Sequence, residues 1–102
     1  MVMHFEWNDE KRAENLAKHQ IDLLDAALIF EGSFVTYDDD RFDYGERRSI
    51  SMGYVDGQLY VLVHTDRDGT TRLISARKGG RRDRRKYQAG DPARNSADEG
   101  EG

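Results

Sequence analysis

The residues best suited to chemistry are a histidine and several arginines, all carried by segments with the composition of strands. The candidate catalytic residues are His64, Arg47, Arg72 and Arg77. Arginine stabilises the charge that grows on a phosphate during phosphodiester cleavage, and a general base such as histidine takes the proton of a 2′-hydroxyl. Nearby cations would also favour the neutral, basic imidazole. A histidine amid arginines is what metal-free phosphodiester cleavage would need. The alternative for His64 is a partly buried strand residue satisfied by a hydroxyl.

A strongly basic segment follows the candidate histidine in an otherwise acidic chain. Residues 72–87 hold 8 of the 16 Lys+Arg and 1 of the 20 Asp+Glu, a local charge of 8 − 1 = +7 against −4 for the whole chain. Such clustering is typical of a surface that binds a polyanion, most commonly a phosphate backbone. The alternative is a solvated helical face or a disordered basic tail. The candidate RNA-binding residues are Arg81, Arg82 and Arg85 from this segment, with Lys11, Lys18 and His19 from the first predicted helix. The last three are also the alternates to His64 for acid–base chemistry.

Composition argues against several other chemistries. The chain has no cysteine, so it has neither disulfides nor thiolate metal sites. The three histidines are dispersed, and the adjacent carboxylates of residues 38–40 point in different directions on an extended chain, so we expect no metal and no cofactor. Gly79-Gly80 has no further phosphate-loop signature and is more simply a turn. No apolar run is long enough to span a membrane and no signal-like segment opens the chain, which predicts a cytoplasmic protein.

Capping residues and apolar spacing predict the N-terminal elements. We expect a short strand at residues 5–7, a helix from 9 to about 18 capped by Asn8, and a second helix from about 22 to 31 ended by a glycine C-cap at Gly32. The inward face of the first helix is predicted to be Ala13, Leu16 and Ala17, and that of the second to be Leu23, Leu24, Ala27, Leu28 and Phe30.

The rest of the chain predicts an antiparallel meander. Strands are expected at residues 33–37, 47–55, 58–65 and 70–77, with an acidic loop at 38–45. Asp56-Gly57 is a strong two-residue hairpin signal, whereas the turn at 66–69 could hold two, three or four residues and leaves the register open. Neighbouring strands of such hairpins are expected to bring His64, Arg72 and Arg77 together on one face. Because side chains alternate along a strand, Arg47 and Arg48 face opposite sides, and only one of them can join that cationic face.

Together these elements predict one domain of the α+β class, with N-terminal helices packed on an antiparallel meander sheet. Gly79-Gly80 ends the last strand, and residues 81–88 are expected to form a short basic C-terminal helix. The domain is predicted to span residues 1–88. Residues 89–102 have no large apolar side chain and are predicted to be a disordered acidic tail.

Five short motifs in order resemble the BrnT family of bacterial toxins over about residues 4 to 88. They are Phe5-Glu6-Trp7-Asn8-Asp9-Glu10-Lys11; then Asn15, Lys18-His19, Ile21 and Phe30; then Glu46-Arg47; then Val63-His64-Thr65; then Ile74-Ser75-Ala76-Arg77, with a closing Asp83-Arg84 and Tyr87. The sequence departs from the family pattern at three sites. Gln20 replaces the usual glycine after Lys18-His19, Gly79-Gly80 replaces Ala-Thr, and Asp83 replaces glutamate. A glutamine at the first of these must avoid a positive φ or tolerate it.

The resemblance implies a specific biology. The family is similar in fold to the RelE-type ribonucleases, and its members are toxins of type II toxin–antitoxin modules that cleave RNA without a metal and so arrest translation. It implies RNA as substrate and a BrnA-type antitoxin as partner, in a toxin–antitoxin heterotetramer that contacts DNA only through the antitoxin. The alternative is a non-catalytic module that binds nucleic acid or an acidic antitoxin surface, because an acidic partner can occupy a phosphate site.

Overall fold

A computed structural model describes residues 3–41, 43 and 45–90, and within them the chain forms an α+β domain built on a mixed sheet. The elements are β1 His4–Trp7, α1 Asp9–His19, α2 Leu23–Ala26, a 3-10 helix Ala27–Glu31, β2 Phe34–Asp38, β3 Ser49–Val55, β4 Gln58–Arg67, β5 Thr70–Lys78 and α3 Arg81–Gly90. The five strands lie in the order β1-β5-β4-β3-β2. The predicted meander, β2 to β5, is antiparallel, whereas β1 joins the edge of β5 in parallel. The α+β class is thus confirmed, and the purely antiparallel sheet is wrong.

Two Asp-Gly turns set the register of the meander. All four central residues have a positive φ, which is 50° at Asp56 and 82° at Gly57 in the first turn, and 52° at Asp68 and 83° at Gly69 in the second. This is the left-handed conformation of a type I′ hairpin turn, which asparagine, aspartate and glycine adopt at least cost. Of the two, three or four loop residues that sequence left open for the second turn, the chain uses two, because Arg67 pairs directly with Thr70.

A β-bulge in β5 changes which face of the sheet its C-terminal half presents. Thr65 pairs with Arg72 and His64 with Leu73, but Val63 pairs with Ser75, so Ile74 is the extra residue. An unbroken register would place Arg77 opposite Tyr60, on the face that carries His64. With the bulge, Arg77 is opposite Val61 instead. The expectation that His64 and Arg77 share one face is therefore wrong, because one inserted residue reverses the alternation of side chains.

Each face of the sheet has its own hydrophobic core. On one face, which we call the α2 face, Leu23, Ala26 and Ile29 pack with Leu62 and Leu73. On the other face, Val35, Met52 and Val61 are buried together with Tyr87 of α3. We call this second side the α3 face. Leu62 and Val61 belong to different cores because successive strand residues point to opposite sides.

The predicted inward face of α1 is wrong. Ala13, Leu16 and Ala17 are exposed, Leu16 by 50%, and the buried residue of this helix is Asn15. Strand β1 pairs with β5 only as far as Leu73, which leaves backbone groups farther along β5 in need of partners. The helix is turned so that a polar side chain faces that open edge, because unpaired buried backbone groups are costly.

The end of the second helical segment also differs from the prediction. Leu23, Ala27 and Ile29 are buried, Leu24 and Phe30 are half-buried, and Leu28 is 43% exposed. The segment tightens after Ala26 into a 3-10 helix, whose three-residue turn moves successive side chains to different directions from those of an α-helix. Gly32 has an extended conformation, with φ −124°, so it is not a left-handed C-cap. The left-handed C-cap is Gln20, with φ 61°, which settles that glutamine tolerates a positive φ there.

The C-terminal helix is longer than predicted. Helix α3 runs to Gly90, two residues beyond its predicted end. The tail predicted for residues 89–102 lies, from residue 91 onward, outside the described residues. Within the described part of the chain, no helix is long and apolar enough to cross a membrane.

Candidate active-site cleft

A large cleft lies on the α3 face of the sheet, between α3 and the strands beside it. Its volume is about 960 Å³. Its aromatic and cationic lining residues are Tyr37, Arg41, Arg77, Arg82, Arg85 and Lys86. Residues 38–40 form an acidic rim at the end of β2, and Asp83 of α3 also lines the cleft. Arginine and lysine side chains on the opposite wall create a surface suited to a phosphate backbone.

Arg77 is held in the cleft by an ion pair with α3. Its Nη1 and Nη2 atoms donate to the two carboxylate oxygens of Asp83 at 2.8 and 3.1 Å. The same carboxylate accepts a 2.8 Å hydrogen bond from the backbone N–H of Gly80, in front of the helix. The pKa of Asp83 lies below its ordinary value, mainly because of Arg77 and also because of the Gly80 N–H. The aspartate that replaces the family's glutamate thus caps the helix and orients the arginine.

The joint between β5 and α3 is fixed by close packing at its first glycine. The backbone N–H of Gly79 donates to the carbonyl of Leu59 at 2.8 Å. A Cβ at this position would stand 2.5 Å from Cδ2 of Leu59, so only glycine fits without movement. Arg77, near the end of the strand part, and the helix part therefore face the same cleft.

Tyr87 anchors α3 and determines which side chains turn inward. Its hydroxyl donates to the carbonyl of Ser33 at 3.2 Å, and its ring meets Tyr54 edge to face at 5.1 Å. With Tyr87 against the sheet, Arg82, Arg85 and Lys86 line the cleft. The ammonium of Lys86 lies 4.1 Å from the ring centre of Tyr37, a cation–π contact that ties the helix to β2.

The cations that line the cleft differ in how far their charge is neutralised. The charge of Arg77 is neutralised by Asp83, whereas Arg82, Arg85 and Lys86 form no ion pair with any carboxylate among the described residues. Arg81 is exposed at the first position of the helix and does not line the cleft. The cleft wall therefore offers charge that a bound anion can use.

Arg41 lines the cleft and is held by a buried carboxylate. Its Nε and Nη2 atoms donate to the two oxygens of Asp39 at 2.7 and 2.9 Å. The Asp39 side chain is fully buried, while that of Arg41 is 58% exposed. A two-point pair of this kind fixes the plane of the guanidinium, so Arg41 is presented to the cleft in one orientation.

Asn15 positions the end of α1 against the open edge of β5. Its Nδ2 atom donates to the carbonyls of Ala76 and Ile21, both at 2.9 Å, and its Oδ1 accepts from the N–H of Ala76 at 3.0 Å. The amide takes the place of a neighbouring strand for one residue. It brings His19 to a smaller cavity of about 180 Å³, which Ser75 and Arg77 also line.

His64 lies on the opposite face of the sheet from Arg77. It is 5% exposed, its Nε2 shares a 2.7 Å hydrogen bond with Ser51 Oγ, and its ring meets Phe30 edge to face at 5.3 Å. Its Nδ1 is buried without a hydrogen-bond partner among the described residues. Burial lowers the pKa of His64, and the Asp66 carboxylate offsets this shift only in part. The geometry matches the alternative of a strand histidine satisfied by a hydroxyl.

The other predicted site residues are dispersed. Arg72 lies on the α3 face but near the far end of β5, where it donates to Glu6 at 2.7 Å. Arg47 is exposed just before β3, and its carbonyl accepts from the Thr65 hydroxyl. Lys11 and Lys18 line a groove of about 300 Å³ along α1, together with His19 and Ser75. Arg77, Arg82 and Arg85 are thus brought into one cleft, and His64, Arg47 and Arg72 are not.

Sequence reasoning missed several residues that line or support the cleft. Tyr37 and Lys86 belonged to segments that were identified, but their contact needs the long-range packing of α3 on β2. Arg41 was hidden in an acidic loop. Asn15 was visible only as part of a family motif. Among the described residues, no group of three or more histidines or carboxylates is arranged to hold a metal.

A scan of protein-family models identifies the chain. Residues 7–83 match the model for the ribonuclease toxin, BrnT, of type II toxin–antitoxin systems. The chain belongs to the BrnT family. The match confirms the resemblance found in the sequence, and it covers Arg77 and Asp83 but ends before Arg85 and Lys86. A search of curated proteins found no match.

Proposed function

We propose that this BrnT-family toxin is a metal-independent endoribonuclease that holds RNA in the cleft between β5 and α3. The observation that carries the proposal is the position of Arg77, fixed by Asp83 beside Arg82 and Arg85 on one wall. Cationic side chains can supply the charge stabilisation that metal ions supply in other nucleases. An RNA phosphate would contact Arg77 from the open side of the cleft.

The proposed chemistry places the scissile phosphate at Arg77. The 2′-oxygen would attack the phosphorus while the bond to the 5′-oxygen breaks, and the leaving 5′-oxygen would take a proton from solvent. The guanidinium would stabilise the extra negative charge of the transition state. His19 lines the same small cavity as Arg77 and is the imidazole best placed to accept the proton of a 2′-hydroxyl. Catalytic roles for His64, Arg47 and Arg72 stay predictions, and their positions outside the cleft do not favour them.

The wider biological role follows from family membership and is part of the same proposal. Cleavage of RNA would inhibit translation in the cytoplasm, in a fold similar to the RelE-type ribonucleases. A BrnA-type antitoxin would neutralise the toxin within a heterotetramer and carry any contact with DNA. An acidic antitoxin segment could occupy the cleft through the charges that bind RNA.

The test is cleavage of RNA by the purified protein in the presence of EDTA. We expect fragments with a 2′,3′-cyclic phosphate, and no cut at a position where a deoxynucleotide replaces the ribonucleotide, because the 2′-hydroxyl is the nucleophile. RNA that stays intact at high protein concentration would contradict the proposal. RNA that is bound but stays intact would favour the alternative, a non-catalytic module, for which the unpaired cations of α3 would suffice.

A further inference from the structure

Three cavities lie in a row with shared lining residues, and the row, which we call the trough, is longer than the proposed active site. The cleft under α3 and the small cavity beside His19 share Arg41, Ile50 and Arg77. The small cavity and the groove along α1 share His19 and Ser75. The trough therefore runs from the surface of α1, over the open edge of β5, to the wall of α3.

The α1 end of the trough carries its own cations. Lys11 and Lys18 are exposed and lie seven residues apart, on one side of a helix with 3.6 residues per turn. Neither forms an ion pair with a carboxylate of the described chain. Glu14 lines the groove between them and is the one acidic residue of that lining. We call Lys11 and Lys18 the α1 arm, and Arg82, Arg85 and Lys86 the α3 arm.

We propose that the α1 arm is a second RNA-binding subsite, so that a single strand of RNA lies along the whole trough and is cut between the two arms. The inference rests on the proposed function, because it takes Arg77 and His19 as the place of cleavage. Nucleotides on one side of the scissile phosphate contact the α3 arm, and those on the other side contact the α1 arm.

The path of the trough favours a single strand over a duplex. It passes from a helix at the edge of the sheet to the α3 face, so the ligand has to turn across β5. A nucleic-acid duplex is stiff, with a persistence length of roughly 150 base pairs for DNA, and cannot follow a turn on the surface of a small domain. A single strand bends at every nucleotide, and its phosphates can meet cations on both arms.

The experiment measures binding of RNA oligomers that carry 2′-O-methyl groups throughout, which removes the nucleophile and prevents cleavage. A dinucleotide and an octanucleotide are titrated at several salt concentrations into the wild type, Lys11→Ala/Lys18→Ala and a matched control, Lys78→Ala/Arg84→Ala. The control removes the same charge from exposed residues that line none of the three cavities. Circular dichroism confirms that each variant is folded.

We expect the α1-arm variant to bind the octanucleotide more weakly and the dinucleotide as the wild type does. The affinity falls as salt rises, and each lost phosphate contact makes the slope of log K against log salt about 0.7 less negative for a single strand. The slope for the double variant should therefore be about 1.4 less negative than that for the wild type. The control should change the slope by less than about half of that. Glu14→Gln should tighten octanucleotide binding, because it removes the opposing charge in the groove.

The inference is overturned if the α1-arm variant and the control weaken octanucleotide binding equally, or if a duplex of the same length binds as tightly as the single strand. This outcome differs from failure of the proposed function, in which the wild type leaves unmodified RNA intact. If the wild type cuts RNA and the α1-arm variant has the same salt dependence as the wild type, the proposed function stands and the second subsite is contradicted.

Discussion

Replacing Asn15 by alanine should destabilise the fold far more than an ordinary polar substitution on a helix. The change removes three hydrogen bonds, two with the backbone of Ala76 and one with the carbonyl of Ile21. All three are buried. A typical hydrogen bond contributes about 1 kcal/mol net, and a buried group left without a partner costs about 1–3 kcal/mol. Three such bonds come to about 3 kcal/mol without the cost of the unpaired groups, a large part of the stability of a small domain.

The assay is urea denaturation at neutral pH, followed by circular dichroism. A loss of about 3 kcal/mol corresponds to a fall in Tm of roughly 12–24 °C for a domain of this size. Asn8→Ala is the matched control, because it makes the same substitution on the same helix. It removes one exposed hydrogen bond, from the N–H of Lys11 to Asn8 Oδ1 at 3.0 Å, and should cost about 1 kcal/mol.

Asn15→Ala should also affect the site. Ala76 precedes Arg77, so loss of the edge contact frees the segment that carries the arginine. The amide of Ala76 should exchange with solvent faster in Asn15→Ala than in Asn8→Ala, and RNA cleavage measured well below both Tm values should fall further. Equal destabilisation by the two substitutions would refute the reasoning, because the buried amide would then be worth no more than an exposed cap.

Three further predictions follow from single side chains. Gln20→Gly should raise stability by roughly 0.5–1 kcal/mol, because φ is 61° at this position and glycine adopts it without strain; Gln20→Ala, which keeps the strain, should give no gain. Asp83→Asn should cost about 1 kcal/mol at neutral pH in urea denaturation, a modest value because Arg77 is half-exposed. The pKa of Asp83 is lowered in the folded state, so this difference should vanish as pH falls below 3.8 through the folded-state pKa, and a difference that persists in acid would contradict the ion pair. The pKa of His64 is also lowered by burial, so as pH falls below about 6.5 the unfolded chain takes up a proton before the folded protein does. The free energy of unfolding should therefore decline in this range in the wild type and decline less in His64→Gln. Equal acid sensitivity of the two proteins would contradict the burial of a neutral ring.

Local sequence signals predicted the parts of the fold that depend on near neighbours. The N-cap of α1 is Asn8, which accepts from the N–H of Lys11, and Asp56-Gly57 forms the expected two-residue turn. In each case the deciding interaction joins residues at most three apart, so it can be predicted from neighbouring residues in the sequence. The meander followed from the turn signals and from the alternation between them.

The features that were not predicted depend on contacts between distant residues. The bulge at Ile74 moves Arg77 to the α3 face, yet nothing in the local composition marks an inserted residue. The parallel pairing of β1 with β5 leaves an open edge, and Asn15 turns inward to satisfy it. Apolar spacing pointed to Leu16 instead, because a hydrophobic pattern cannot show where a backbone lacks partners.

The candidate site was predicted in composition but not in arrangement. The cations of β5 and α3 were identified from charge clustering, and the structure joins them through Asp83 and the close contact at Gly79. His64 was selected because its residue type suits acid–base chemistry. Its face of the sheet depends on strand register, which no motif encodes, and the structure buries it against Ser51 and Phe30.

The most direct test of the central claim compares RNA cleavage in EDTA by the wild type, Arg77→Ala and His64→Gln, with folding of each confirmed by circular dichroism. Glutamine can keep a hydrogen bond to Ser51, so the second variant removes the imidazole with little change in the core. We expect Arg77→Ala to cut RNA roughly a hundredfold or more slowly, the usual loss for a group that stabilises transition-state charge, and His64→Gln to cut at nearly the wild-type rate. A folded Arg77→Ala that cleaves as fast as the wild type, or a folded His64→Gln that does not cleave, would contradict an active site in the cleft between β5 and α3.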